Sequence, residues 1–321
     1  MSGAFTCAVF IVCCYFIMLH LVTHPDYDIP LAEGHRFPAR KFTSLIRHLE
    51  ADGVLADFIQ AHPAPATIAD ISSVHDPDYV ASISDGSITA EALRVLGFEW
   101  SEALAKRSFL APNGTLMTAK LALEHGLACH AAGGTHHAHY GHGAGFCVFN
   151  DIAFAAVNLL RKPGIGQVLI LDCDVHQGDG TARMLAHEDR AVTVSIHCAT
   201  NYPARKAVSD YDIELERGLD NDGYLSKLSD ILSQLAQTMR PDIVIYDAGV
   251  DIHTDDRLGY LDVTDDGLRA REDMVLAHFL SRNIPVATVI GGGYDKNLDA
   301  LMGRHAHIFK ASADAYARYC R

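Results

Sequence analysis

The sequence has no C-x-x-C pair, no block of like charge and, beyond residue 22, no low-complexity stretch or repeat period. Each absence removes a class of protein. Without a repeat there is no solenoid to build. Without close cysteine pairs, Cys7, Cys13, Cys14, Cys129, Cys147, Cys173, Cys198 and Cys320 read as free thiols of a reducing, cytoplasmic compartment, several of them inside apolar runs, and not as a disulfide frame. Basic residues are scarce: 26 Lys and Arg stand against 40 Asp and Glu, a formal net charge of −14. That balance argues against direct nucleic-acid binding, because a phosphate backbone demands cationic surface. It is compatible with steering of cationic substrates such as lysine side chains or polyamines.

Positive charge is also missing ahead of the one long hydrophobic run, Ala4 to Val22. The run has the length of a membrane span. It lacks the basic residues that open a signal peptide or orient an anchor. Its end, Leu19 to Thr23, reads as a first strand entering the polar turn His24-Pro25-Asp26. Two readings stand: residues 1–17 are an apolar extension with Met18 as the true start and 18–321 as the working domain, or the run is an anchor and the protein meets a membrane.

What remains is ordinary globular composition, 49% hydrophobic and 21% charged over 321 residues, which suits one α/β domain. Val- and Ile-rich runs at Gln167 to Leu171, Ala191 to Ile196, Asp242 to Tyr246 and Pro285 to Ile290 alternate with helical spacing at Tyr224 to Met239 and Asp265 to Ser281. Continuous β-branched runs between amphipathic helices predict a three-layer α/β/α fold with a central, mostly parallel sheet. The first third is more helical, with Ser44 to Leu49, Ala90 to Leu96 and Leu116 to Gly126 as candidates, the last stopped by its glycine. In such sheets the chemistry lies just beyond the carboxyl ends of the strands.

Four segments follow strand-like runs. In Asp172-Cys173-Asp174-Val175-His176-Gln177-Gly178-Asp179-Gly180, alternation puts Asp172, Asp174 and His176 on one face. Two carboxylates and an imidazole there call for a cation, and an oxygen and nitrogen donor set suits Zn²⁺ or another divalent metal. The alternative is an Asp/His hydrogen-bond cluster capping the next helix. Asp247-Ala248-Gly249-Val250-Asp251 offers Asp251 as a third ligand, although Asp and Gly after a strand are ordinary turn formers. Gly133-Gly134-Thr135-His136-His137-Ala138 presents adjacent histidines, fit for metal or proton handling, and His139 and His142 nearby allow adventitious surface metal binding. Gly291-Gly292-Gly293-Tyr294 lets backbone approach a ligand closely and offers one phenol, or is a tight turn with a packing tyrosine.

Together these segments resemble the arginase/deacetylase superfamily, within it the class IV-like branch of the histone deacetylases and their bacterial relatives. The resemblance runs from about Leu19 to near the C-terminus. It takes in P-L-A-E-G-H-R-F-P (Pro30 to Pro38), G-F-C-V-F-N-D (Gly145 to Asp151) and N-Y-P-A-R-K (Asn201 to Lys206) beside the four segments above. It implies a zinc-dependent deacetylase in which Asp174, His176 and Asp251 hold Zn²⁺, with Fe²⁺ as the other candidate. It further implies that His136 and His137, backed by Asp172 and Asp179, face the attacking water, and that Tyr294 donates to the substrate carbonyl. Gly145, Phe146, Tyr202 and Gly292 would line the acyl-lysine tunnel, with Phe146 and Tyr202 as opposite walls. A structural K⁺ is implied at Asp172, the main-chain carbonyls of Asp174 and His176, and Ser195. The partner implied is an acylated lysine of a peptide or protein, or another acylated amine. Gln177 departs from the family, where many members carry His, but lies in the opposite register from the ligands. Ser84 to Trp100, a candidate piece of the tunnel rim, also departs. An acetylpolyamine deacylase shares the same metal site. A ureohydrolase would want further Asp ligands where His176 stands, and a silent acyl-lysine-binding module would be expected to have lost one of the site residues.

Overall fold

A computed structural model describes residues 19–320 of the chain. The expected extension 1–17 and the start at Met18 lie outside the described residues, as does the anchor reading of Ala4 to Val22 apart from its last four positions. Among the described residues no helix is long and apolar enough to cross a membrane.

Eight strands form one sheet: β1 (Leu19–Val22), β2 (Phe58–Ala61), β3 (Leu127–His130), β4 (Val168–Asp172), β5 (Ala191–Cys198), β6 (Tyr211–Leu215), β7 (Ile243–Asp247) and β8 (Val286–Val289). Their order is β2-β1-β3-β8-β7-β4-β5-β6, and every pairing is parallel. The helices are α1 (Lys41–Ala51), α2 (Ile68–Ser72), α3 (Pro77–Asp85), α4 (Ala90–Leu96), α5 (Glu102–His125), α6 (Asp151–Leu160), α7 (Asp179–Leu185), α8 (Asn221–Thr238), α9 (Asp265–Leu280) and α10 (Leu298–Tyr319). They pack as two rows, α1-α10-α9-α8 and α5-α6-α7, so the α/β expectation holds and the sheet is wholly parallel.

Burial explains the central strands. β3, β4, β5, β7 and β8 are buried at every position, as strands covered on both faces must be, and β4, β5, β7 and β8 are accordingly rich in Val and Ile with no apolar/polar alternation in exposure. The edge strands differ: β2 is largely exposed, and β6 alternates, with Asp212 and Glu214 outward. Helix α5 is longer than its readable C-terminal half, because Ser101 caps it at Leu104 N and Pro112 sits inside it. Cys129, Cys147, Cys173 and Cys198 are buried free thiols and Cys320 is partly buried.

The order of strands decides where the site lies. β3, β8, β7 and β4 are consecutive neighbours, and the segments leaving their carboxyl ends are G-G-T-H-H, G-G-G-Y, D-A-G-V-D and D-C-D-V-H. Four stretches separated by up to about 160 positions therefore meet above the middle of one sheet.

Candidate metal centre and active site

β4 ends at Asp172, but the inside/outside alternation continues through the turn that follows. Cys173 and Val175 are wholly buried in the core, while Asp174 and His176 turn to the site. There, Asp174, His176 and Asp251 place one ligand atom each within 4.8 Å of one another. His176 Nδ1 lies 3.0 Å from both Asp174 Oδ1 and Asp251 Oδ2. One ring nitrogen carries at most one proton, so it cannot satisfy two buried carboxylates at once. A divalent cation between the three does, and the residues fit such an ion on this ground. The other carboxylate oxygens are held by backbone: Gly292 N donates to Asp174 Oδ2 at 2.7 Å and Val175 N to Asp251 Oδ1 at 2.9 Å. Gly292 must be glycine, because a Cβ there would collide with the carboxylates of Asp251 and Asp174.

The two histidines hang over this centre from the loop after β3. Asp151 fixes that loop by accepting from Thr135 N at 2.7 Å and Gly134 N at 3.2 Å. Gly134 has φ +83°, and a Cβ on it would press within 2.5 Å of Gly291 Cα, so the two glycine turns can approach only because neither has a side chain. Each histidine has its own carboxylate. His136 Nδ1 is 2.8 Å from Asp172 Oδ2, and His137 Nδ1 is 2.9 Å from Asp179 Oδ1. Burial works against charging either ring. For His136 the carboxylates of Asp172 and Asp174 prevail and carry the pKa well above the ordinary value. For His137, burial and the neighbouring His136 prevail and lower it to about 3. The two rings are thus pulled in opposite directions, His136 toward its charged form and His137 toward its neutral form. Burial would also raise Asp179, but hydrogen bonds from His137 and His139 hold its carboxyl below the usual range, and Arg183 Nη1 pairs with it at 2.8 Å. His139 therefore serves Asp179, stacked on His142 with ring centroids 4.5 Å apart.

Tyr294 reaches the same cavity, its ring 6.5 Å from that of His176. Burial and the carboxylates of Asp174 and Asp251 push its phenol well above the ordinary range, which keeps the proton on the oxygen. The cavity, about 340 Å³, is lined by Gly145, Phe146 and Tyr202 as well as His137, His176 and Tyr294. Phe146 adopts φ +67° and packs 5.9 Å from the Tyr294 ring. Tyr202 crosses His137 edge-on at 4.8 Å and is 46% exposed. The Ser84 to Trp100 segment supplies Arg94, Val95, Leu96 and Gly97 to the lining. Ser195 stands in register with Asp172 across β4 and β5, and its hydroxyl meets His197 Nδ1 at 3.0 Å. Gln177 faces away, bridging Ala207 and Asp212.

Four residues of the site escape a reading of the sequence. Asp247 is wholly buried, clusters with His136 and Asp172 and has no hydrogen-bond partner at either oxygen; burial and the Asp172 charge push its carboxyl well above the usual range. Asp256 fixes Tyr294 by accepting from its backbone N at 2.6 Å. Lys41 Nζ donates to Gly291 O at 2.7 Å. Arg271, wholly buried, donates to the carbonyls of Cys173, Ala248 and Gly249 and pairs with Glu272. For Asp247 the strand-end position is a signal; for the others a lone charge in a helix or turn gives none.

Residues 35–309 match the family model described as the histone deacetylase domain. An uncharacterized protein of Picosynechococcus sp. is 46% identical over 296 residues, spanning 92% of this chain and 99% of its own. Histone deacetylase 2 of Arabidopsis thaliana is 31% identical over 290 residues, 86% of this chain and 75% of that one. The crystal structure of the HDA15 HD domain superposes with TM-score 0.78 at 20% identity, over 94% of this chain and 92% of that one. An HDAC homolog complexed with SAHA gives 0.75 at 22%, over 91% and 84%; at these identities the two structures speak to the fold alone. The chain belongs to the histone deacetylase family and is a deacetylase, a hydrolase of amide bonds.

Proposed function

We propose that the protein hydrolyses the acyl amide of modified lysine side chains with one divalent metal ion, Zn²⁺ or Fe²⁺, held by Asp174, His176 and Asp251. The observation that carries this reading is the convergence of the Asp/His/Asp set with two histidine–carboxylate pairs and a protonated tyrosine around one cavity. A bound divalent ion supplies Lewis acidity there, making water acidic and the acyl carbonyl electrophilic. The protein's own groups do the rest. Because Nδ1 of His137 is committed to Asp179, its Nε2 carries the lone pair and takes the proton of the attacking water, then hands it to the leaving amine. Such proton transfer is typically worth about 10²- to 10⁴-fold. His136, held between Asp172 and Asp174, is placed to balance the negative charge that develops as the carbonyl is attacked. The Tyr294 hydroxyl donates to the developing oxyanion.

Phe146 and Tyr202 form the walls that hold the aliphatic stem of the lysine, with Gly145 beside them in the lining, while Gly292 lies outside the lining against the Asp174 and Asp251 carboxylates. Asp172 and Ser195, with the main-chain carbonyls of Asp174 and His176, are the groups that would hold a structural K⁺. The test is release of acetate from acetyl-lysine peptides by metal-reconstituted protein, with Asp174→Ala as the blank. Turnover well above the blank is expected. Equal rates for the two proteins would remove the metal centre from the reaction.

A further inference from the structure

The opening of the site cavity carries the charge opposite to that of the whole molecule. Arg36, Arg94 and Arg257 all line it, and no Asp or Glu does so among the described residues. All three are exposed. None is engaged in an ion pair among the described residues. They come from separate places: Arg36 from the loop before α1, Arg94 from α4, and Arg257 from the loop after β7. Two of them are tied to the site walls. The Arg36 guanidinium lies 6.0 Å from the centre of the Phe146 ring, and Arg257 N donates to Tyr294 O at 3.1 Å. The adjoining groove shares Arg36 and Arg257 and adds Arg40 and Lys296; of its acids, Glu33 is exposed and Asp295 is taken by Arg304 at 2.7 Å.

Three unpaired guanidiniums around one opening repel each other, and in a chain of net charge −14 they are not explained by an excess of basic residues. Their arrangement gives a local positive field at a mouth through which the acyl amine must pass. Arginine in particular pairs with carboxylates in forked geometry. A polyamine or a lysine-rich segment would meet repulsion at this rim.

We infer that the substrate of this site is an acyl-lysine flanked by Asp or Glu in a peptide segment, whose carboxylates pair with Arg36, Arg94 and Arg257; this rests on reading the site as a deacylase. The shared chemistry is a carboxylate near the acylated amine, and its other source is the main-chain carboxylate of a free acylated amino acid. Acetyl-lysine peptides of equal length with blocked ends, flanked by Asp/Glu, Ser/Gly or Lys/Arg, are compared with free Nε-acetyl-lysine and an acetylated polyamine. The acidic peptide should exceed the basic one in kcat/KM by about tenfold or more at low salt, with the gap closing toward ~0.5 M salt as rim charges are screened. In the Arg94→Gln, Arg257→Gln double variant the ratio of acidic to neutral peptide should fall toward one. A basic peptide or polyamine processed as well as the acidic peptide overturns the inference; free acetyl-lysine matching the acidic peptide overturns the peptide source. Anisotropy binding of the same labelled peptides to the unaltered protein separates the two readings. Acidic preference in binding with no turnover on any peptide supports the rim assignment and sinks the deacylase, whereas basic preference in binding sinks the rim assignment.

Discussion

Tyr294 reaches the cavity from the glycine turn after β8, with its backbone pinned by Asp256 and its ring against Phe146. Nothing in that support depends on the hydroxyl. Tyr294→Phe should therefore keep its fold and its metal content while kcat falls by about 10²- to 10³-fold; an unchanged kcat would take the phenol out of the reaction. In the proposed mechanism Asp179 acts one step back, by fixing the tautomer of His137 through its contact with Nδ1. Asp179→Asn should lower kcat with little change in metal content by elemental analysis, and lost metal would show that Asp179 supports the centre instead. At this scale much is legible in the sequence. A period of two is enough to put Asp172, Asp174 and His176 on one face, and the fold brings Asp251 to them from β7. Asp247 is only partly legible: its strand-end position marks it, but nothing in D-A-G-V-D shows that this carboxylate is buried without partners and is not a turn former.

Among the elements, α9 does more than cover the sheet. Its Arg271 spans the turn after β4 and the turn after β7 by donating to Cys173 O, Ala248 O and Gly249 O, with Glu272 balancing its charge. Removing the guanidinium leaves three carbonyls without their donor and the buried Glu272 carboxylate without its counter-charge, held only by the Tyr246 hydroxyl. Arg271→Met should cost about 3–5 kcal/mol by guanidinium denaturation, and a loss below about 1 kcal/mol would show that the two turns hold themselves. The long Val/Ile runs of β4, β5, β7 and β8 are readable because strands buried on both faces are apolar throughout. β2, β3 and β6 are not. β2 lies at one edge and shows a single buried position, β3 is four residues interrupted by Cys129 and His130, and β6 alternates acidic residues outward, so none presents an apolar run.

For the whole molecule, net charge and local field part company. The formal charge of −14 suggests attraction of cations, while the rim of the cavity gathers Arg36, Arg94 and Arg257. Sequence alone does not place them, since they lie more than 200 positions apart from first to last and meet only through the fold. The candidate metal centre has the same long-range character: Asp174, His176 and Asp251 come together only when β4 and β7 pair. An ion that binds the folded state alone adds stability by mass action, so the melting temperature should rise with added Zn²⁺ in the unaltered protein and stay flat in Asp251→Ala. The most direct measurement is acetyl-lysine hydrolysis by protein stripped with a chelator, its metal content read by elemental analysis, before and after adding back Zn²⁺ or Fe²⁺. Activity should vanish with the metal and return with close to one ion per chain. Full activity in protein shown to be metal-free would contradict the assignment of Asp174, His176 and Asp251.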